Sequence, residues 1–345
     1  MKHRLYSTSE SAMNAMLDSI GKATRSILFE SYIFIDDAIP AKSFMADLIS
    51  KARLGVKVVL ILDGLGSYSL PAKDVESLRE AGGEILFFTR WFRRIHRKLL
   101  IVDEKIAFFG GVNIGKHYLK WLDLHMRVSG KLVASFVKTF AKSYSLCGGT
   151  DSYIIDKEKL PDPISKTRIW ILEHWPVLGS FNLKKHYEES ILGAEKEIVI
   201  VTPYFIPHPW LLKALKNAAK RGVNISIILP ENTDPKIGNT ANHLNALRYA
   251  NSRMKFFFTR QMMHAKALLI DNKQGMIGSP NIDAQSFDHN TEIGAVFSDT
   301  RMINDLQKII DMWKADSRSL EELNWRLRWY HSPLLFLLDL LQPFL

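Results

Sequence analysis

An α/β fold made of two duplicated halves is what this sequence predicts, and three observations carry that expectation. Strand-like apolar runs alternate with helix-like segments along most of the chain. The run ARLGVKVVLILDG beginning at residue 52 returns as AKRGVNISIILPE at residue 219. The spacing H-x-K-x-x-x-x-D occurs at 96–103 and again at 264–271. Together they predict two α/β/α sandwich domains related by a pseudo-twofold axis, with a composite site at their interface.

The elements follow in order. RSILFESYIF (25–34) is rich in β-branched and aromatic residues and reads as a strand. AKSFMADLISKARL (41–54) has helical periodicity. VKVVLILDG (56–64) is a buried strand ending at a glycine, AKDVESLREAGG (72–83) a helix stopped by Gly82 and Gly83, and EILFF (84–88) a further strand. The rhythm restarts near residue 183: LKKHYEESILGA is a helix, KEIVIVTPYFIP (196–207) a strand, WLLKALKNAAKRG a helix and VNISIILPE (223–231) a strand. The expected division is a first domain at 1–150, a linker at 151–182 marked by the turn residues of PDPISKT, a second domain at 183–323 and a distinct C-terminal segment at 324–345.

Composition narrows the function classes. The 345 residues are 47% hydrophobic, enough to fill one large or two medium cores, and nothing reads as low-complexity. The single Cys147 excludes an intramolecular disulfide framework and a multi-cysteine zinc site, and fits a reducing compartment. A net charge of +10 suits phosphate-bearing partners, whether nucleic acid or anionic lipid. The N-terminal MKHRLYSTSESAMNAMLDSI lacks the apolar stretch of a signal peptide. No apolar run reaches the roughly 20 residues needed to span a bilayer; LLFLLDLLQPFL (334–345) is too short and carries an Asp.

The repeated motif carries the chemistry. His264 follows His96 by 168 residues, and Gly110 and Asn113 recur as Gly278 and Asn281 at the same offset. Chance gives one such triple at roughly 1 in 8,000 positions when each residue type is about 5% of usage, so two copies in register with a duplication are not two unrelated structural histidines. On a strand, residues i and i+2 share a face, so His96 projects with Lys98 and His264 with Lys266. DEK (103–105) and DNK (271–273) read as turns, and the glycine-rich returns bring Asn113 and Asn281 back toward the His-Lys ends. Two His, two Lys and two Asn suit phosphoryl transfer. Lys98, Lys266, Asn113 and Asn281 supply donors to the phosphate oxygens, while one imidazole attacks phosphorus and the other protonates the leaving oxygen. Each imidazole needs a partner to fix its tautomer, and Asp123 and Glu292, 169 residues apart, are the candidates. Two lysines disfavour a metal cation, and neither an HExxH run nor a cysteine cluster exists, so no metal and no cofactor is expected.

These residues resemble the paired HKD motifs of the phospholipase D superfamily, over roughly Arg25 to Trp313. ESYIFIDD (30–37), GVKVVLILDGLGS (55–67), FFGGVNIG (108–115) and TPYFIP (202–207) further resemble the bacterial cardiolipin synthases. The resemblance implies two phospholipase D-like domains and a two-step phosphatidyl transfer. His96 would form a phosphatidyl-histidine, and His264 would protonate the departing alcohol and then deprotonate the acceptor. The glycerol hydroxyl of phosphatidylglycerol as acceptor would give cardiolipin; water would give phosphatidic acid. Asp103 and Asp271 complete the motif's catalytic set by resemblance, although their turn positions suggest loop support. Many synthases of this type begin with two transmembrane helices, and this sequence shows none.

Trp325, Arg326, Arg328, Trp329 and Tyr330 form an aromatic-basic belt before the apolar C-terminal run, which favours a headgroup layer. RWFRRIHRK (90–98) is similarly basic and aromatic, and leads into the motif. The expectation is a peripheral protein on the cytoplasmic face of the cell membrane, with anionic phospholipid, phosphatidylglycerol first, as partner. Two alternatives are a phospholipase D hydrolase and a superfamily nuclease. The presence of both motif copies in one chain disfavours nucleic acid. Oligomeric state is left open by the sequence.

Overall fold

The computed structural model describes residues 2–37, 43–159, 168–326 and 332–341. The first half runs β1 (Lys2–Thr8), α1 (Ser9–Gly21), β2 (Ser26–Ser31), α2 (Phe44–Arg53), β3 (Lys57–Asp63), α3 (Ala72–Glu80), β4 (Glu84–Phe88), β5 (Leu99–Val102), β6 (Ile106–Gly110), β7 (Leu122–Ser129) and α4 (Leu132–Leu146). After α5 (Ser152–Glu158) and β8 (Ile169–His174), the second half repeats the order. It runs α6 (Asn182–Gly193), β9 (Glu197–Val201), α7 (Pro209–Lys220), β10 (Asn224–Pro230), α8 (Ile237–Tyr249), β11 (Met254–Thr259), β12 (Ala267–Ile270), β13 (Gln274–Gly278), β14 (Glu292–Phe297) and α9 (Thr300–Ala315). A short β15 (Ser317–Ser319) and α10 (Ser332–Leu341) follow.

The two sheets have one topology. In the first the order is β1-β7-β6-β5-β2-β3-β4, and in the second β8-β14-β13-β12-β9-β10-β11-β15. β2, β3 and β4 run parallel, as do β9, β10 and β11, while β5 to β7 and β12 to β14 form antiparallel meanders. The parallel strands are covered on both faces, which is why VVLILD and EIVIV are continuous apolar runs rather than alternating ones. β1 closes the edge of the first sheet against β7, and β8 closes the second against β14. The stretch 151–182, expected as a linker, therefore supplies the first strand of the second half; residues 160–167, with PDPISKT, lie outside the described residues.

One hydrophobic cluster runs through both halves. It joins Leu99, Ile101, Phe109, Phe136 and Phe140 to Val199, Ala267, Leu269, Ile277, Phe297 and Trp313. Two further clusters fill the outer side of each sheet. The shared core fixes one sheet against the other and brings the two motif strands together. Trp325, expected in an interfacial belt, packs instead on the second half, with ring centroids 3.5 Å from His243 and 5.0 Å from Phe258. Arg328, Trp329 and Tyr330 lie outside the described residues. No helix among the described residues is long and apolar enough to cross a membrane.

Candidate active site

Each motif is a hairpin with its chemistry at one end and its anchor at the other. β5 and β6 are joined by Asp103 and Glu104 at φ 53° and 52°, β12 and β13 by Asp271 and Asn272 at φ 52° and 55°. Two successive positive φ values match the twist of a two-residue hairpin, and Asp and Asn tolerate them. The Asp103 carboxylate accepts the N–H groups of Thr24, Arg25 and Ser26 at 3.1, 2.7 and 3.1 Å. Asp271 accepts those of Glu195, Lys196 and Glu197 at 2.8, 2.7 and 2.8 Å. Burial alone would raise both carboxyls, but these N–H donors outweigh it and hold them below the usual range. Asp103 and Asp271 thus pin the hairpins to the starts of β2 and β9, at the end away from the histidines. This placement fits the loop support that their turn positions suggested.

At the other end two backbone bridges cross between the halves. Ile95 pairs with Thr291, and Leu122 with Met263. The His96 N–H donates to the Thr291 carbonyl at 3.0 Å, and the His264 N–H to the Leu122 carbonyl at 2.7 Å. The residue after each bridge partner is a carboxylate, so each histidine meets the acid of the opposite half. His96 Nδ1 lies 2.9 and 3.1 Å from the Glu292 oxygens, and His264 Nδ1 lies 3.0 Å from Asp123 Oδ2. Glu292 also accepts the Ser279 hydroxyl, and Asp123 accepts the Leu124 N–H at 2.7 Å. Tyr32 and Trp121 flank the imidazoles of His96 and His264 at 4.7 and 5.6 Å between centroids.

These contacts set the protonation states. Burial, countered by Glu292, lowers His96 to about 4; burial and the Lys266 charge, countered by Asp123, lower His264 to about 4. Burial would raise Glu292 and Asp123, but their histidine and lysine neighbours bring both below the usual range, so both are ionised. An ionised carboxylate can only accept, so each neutral imidazole carries its proton on Nδ1 and leaves the Nε2 lone pair free. Lys98 and Lys266, nearly fully buried, are lowered to about 7 and about 8, by burial first. Each donates to the carbonyl of its own histidine, Lys98 at 2.7 Å, and an ammonium retains two further N–H groups.

His96, His264, Asn113 and Asn281 line one cavity of about 510 Å³ between the halves. Lys98 and Lys266 do not line it. The cavity also holds residues that sequence reasoning passed over: Tyr32, Arg94, Tyr118, Trp121, Tyr204, Asp283 and Asn290. Arg94, Tyr32 and Tyr204 lay in runs already noticed, though not as site residues; the convergence of all seven is created only by the fold. Among the described residues, no group of three or more His, Cys, Asp or Glu is placed to hold a metal ion.

A family model described as "Cardiolipin synthase, PLD-like domain" matches residues 16–143 and 187–313, one copy in each half. The chain belongs to this family. Among its curated relatives, the cardiolipin synthase of Clostridium perfringens strain 13 is 33% identical over 312 residues, covering 84% of this chain and 65% of that protein. Cardiolipin synthase A of Pseudomonas fluorescens Pf-5 is 30% identical over 334 residues, covering 92% and 69%. The chain therefore spans about two thirds of the length of the curated relatives it matches, 65% of the first and 69% of the second. Among solved structures, the phosphatidylserine synthase of Haemophilus influenzae superposes with a TM-score of 0.81 at 15% identity, covering 100% of this chain and 95% of that one. The polyphosphate kinase of Porphyromonas gingivalis gives 0.63 at 12% identity, covering 97% and 52%. These likenesses establish the duplicated PLD-like fold.

Proposed function

We propose that this chain is a phosphatidyltransferase that works through a phosphohistidine and joins two phosphatidylglycerol molecules into cardiolipin. The observation that carries this reading is the pair of neutral imidazoles on one cavity, each held through Nδ1 by an ionised carboxylate of the opposite half. The names borne by the relatives support the lipid substrate.

In the first step His96 Nε2 attacks phosphorus, and the phosphorus–oxygen bond to glycerol breaks. A bound phosphodiester anion favours the imidazolium on His264, which gives its Nε2 proton to the departing oxygen. In the second step His264 takes the proton of the acceptor hydroxyl, whose oxygen displaces His96 Nε2 from phosphorus. Lys98, Lys266 and the side-chain amides of Asn113 and Asn281 steady the phosphoryl oxygens. Water in place of the alcohol gives phosphatidic acid.

We infer a peripheral site at the cytoplasmic face of the cell membrane, and the surface around the cavity supports contact with anionic lipid. Trp91 and Tyr68 are 86% and 83% exposed, and Phe92 61%, next to Arg90, Arg93 and Arg94. Their loops leave the ends of the adjacent parallel strands β3 and β4. Asp63 ties both to the motif, accepting the N–H groups of Leu65 and Gly66 at 3.0 and 2.9 Å and of Ile95 at 3.0 Å. Exposed Phe336 and Leu340 on α10 add apolar surface.

The test is incubation with phosphatidylglycerol vesicles, alkaline quench and mass spectrometry of lipids and peptides. Cardiolipin with a phosphatidyl group on His96, absent from His96→Ala, is the expected result. Label on His264 would reverse the roles. Phosphatidic acid alone would make the chain a hydrolase, and unchanged lipid with cleaved DNA would make it a nuclease.

A further inference from the structure

The duplicated motif leads to a symmetric pair of imidazoles, but the cavity around them is not symmetric. On the side of the first half, Tyr118, Trp121, Leu65 and Phe92 present aromatic and apolar surface, with Arg94 as the charge and Asn113, whose Oδ1 is also buried without a partner among the described residues, as the counterpart of Asn281. On the side of the second half, Asp283, Asn281 and Asn290 present oxygen atoms, and all three side chains are more than nine-tenths buried.

The position of Asp283 in the second half corresponds, at the 168-residue offset of the motif, to Gly115 in the first. At Gly115 a Cβ would meet the Tyr118 ring at 3.0 Å, so a side chain there needs the ring to give way. The acid stands on one side only. Asp283 is fixed by the Ser286 N–H, which donates to Oδ1 at 2.8 Å, and the Ser286 hydroxyl in turn accepts the Asn281 N–H at 3.0 Å. Asn281 Oδ1 and Asn290 Oδ1 are buried with no hydrogen-bond partner among the described residues.

Buried acceptors without donors are costly, and they are satisfied by a ligand that brings hydroxyl protons. A phosphate brings none, and an ionised carboxylate repels it. We propose that Asp283, Asn281 and Asn290 form a polyol subsite that holds the glycerol group by the hydroxyls next to its reacting oxygen. The proposal rests on the phosphatidyltransferase reading and adds to it the groups that hold the departing and the entering alcohol.

The two steps make the same demand on this subsite. Glycerol leaves in the first step, as its oxygen takes the His264 proton and the bond to phosphorus breaks. A glycerol hydroxyl of the second lipid arrives in the second step, losing its proton to His264 as its oxygen forms the new bond and His96 Nε2 departs. The leaving and entering groups are chemically the same, so one subsite serves both.

The experiment compares acceptors rather than total rates. Wild type and Asp283→Ala are given phosphatidylglycerol vesicles with an equimolar mixture of labelled glycerol and ethanol, and the two phosphatidyl products are measured. Wild type should prefer glycerol, and the variant should lose that preference by roughly 10- to 100-fold, the worth of one or two hydrogen bonds to a charged group. Total transfer should fall as well, because the departing glycerol uses the same subsite, and the glycerol-to-ethanol ratio is the readout. Asn290→Ala, which removes an oxygen without a partner and leaves the Asp283–Ser286 contact intact, should shift the ratio in the same direction by a smaller factor. An unchanged glycerol-to-ethanol ratio in both variants would overturn the subsite. If wild type transfers to no alcohol, the phosphatidyltransferase reading falls. The subsite is then judged by calorimetry with glycerophosphoglycerol: at least tenfold weaker binding to Asp283→Ala supports it, and equal binding removes it.

Discussion

Behind His96 the first half buries a whole arginine, whereas behind His264 the second half has the methyl group of an alanine. Arg97 and Ala265 occupy equivalent positions, and both are fully buried. Arg97 Nε lies 3.4 Å from Glu30 Oε1, and its guanidinium stacks 4.6 Å from the Trp175 ring. Burial raises Glu30, against the Arg97 charge and the Ser143 hydroxyl, which donates to it at 2.8 Å. A second difference lies beside the carboxylates. Ser279 donates to Glu292, but its counterpart Gly111 has no space for a side chain, because a Cβ there would sit 2.2 Å from Asp123 Oδ1. The longer acid is matched with a hydroxyl and the shorter one with a glycine. The His-Lys pair is repeated in both halves, as the proposed mechanism requires. The residues behind and beside that pair answer only to packing, and there the halves have diverged.

Substitutions that remove one member of each pair sharpen this comparison. The largest effect is expected from Glu292→Gln and Asp123→Asn, which leave the shape but allow the wrong imidazole tautomer. Each should lower kcat on the order of 10²- to 10⁴-fold. Rapid-quench measurement should separate them: Glu292→Gln slows the appearance of phosphatidyl-His96, whereas Asp123→Asn also slows its decay. Equal effects on both phases would mean that the halves share the two roles.

Next comes Arg97→Met, which strands the buried Glu30 and should cost about 3 kcal/mol in urea unfolding. Glu30→Gln added to it should recover part of that loss. An unchanged urea midpoint in the single variant would show that the arginine is not a strut between the halves.

The lysines give a smaller effect, read from the pH dependence of kcat/KM, which reports the free enzyme. Lys98 at about 7 and Lys266 at about 8 lose their charge as pH rises, so kcat/KM should fall roughly tenfold per unit above that range. His96, at about 4, should give no acidic limb above that pH, whereas His264, also at about 4 in the free enzyme, must take up a proton to act as the acid, so kcat/KM should already decline above 4 and the lysines steepen that fall. An acidic limb near 6.5 would contradict their burial.

The smallest effect belongs to Asp103→Ala and Asp271→Ala. Each loses N–H contacts at a hairpin end, about 1–2 kcal/mol of stability, with kcat within about threefold of wild type. A large loss of kcat in a folded variant would return these residues to the chemistry.

Much of this was legible in the sequence. The alternation of strand and helix and the offset of 168 depend on local pattern, and the structure repeats them in both sheets, with His96, Lys98, His264 and Lys266 just ahead of β5 and β12 rather than within them. Asp123 and Glu292 could be picked out by their spacing, but not the exchange of partners. That exchange is set by two bridges between residues far apart in the chain. β8 hid in the expected linker because WILEH is short and half exposed, as an edge strand is. Asp283 gave no periodic signal, since it follows the motif on a loop and matters only through what faces it.

The crossed bridges also bear on how the protein comes into being. His96 has no carboxylate until the chain has been made as far as Glu292, and Asp123 waits for His264. A chain emerging from the ribosome therefore carries neither pair until its second half has folded onto its first. On the proposed mechanism the chemistry waits for the completion of folding, and a truncated first half would lack it.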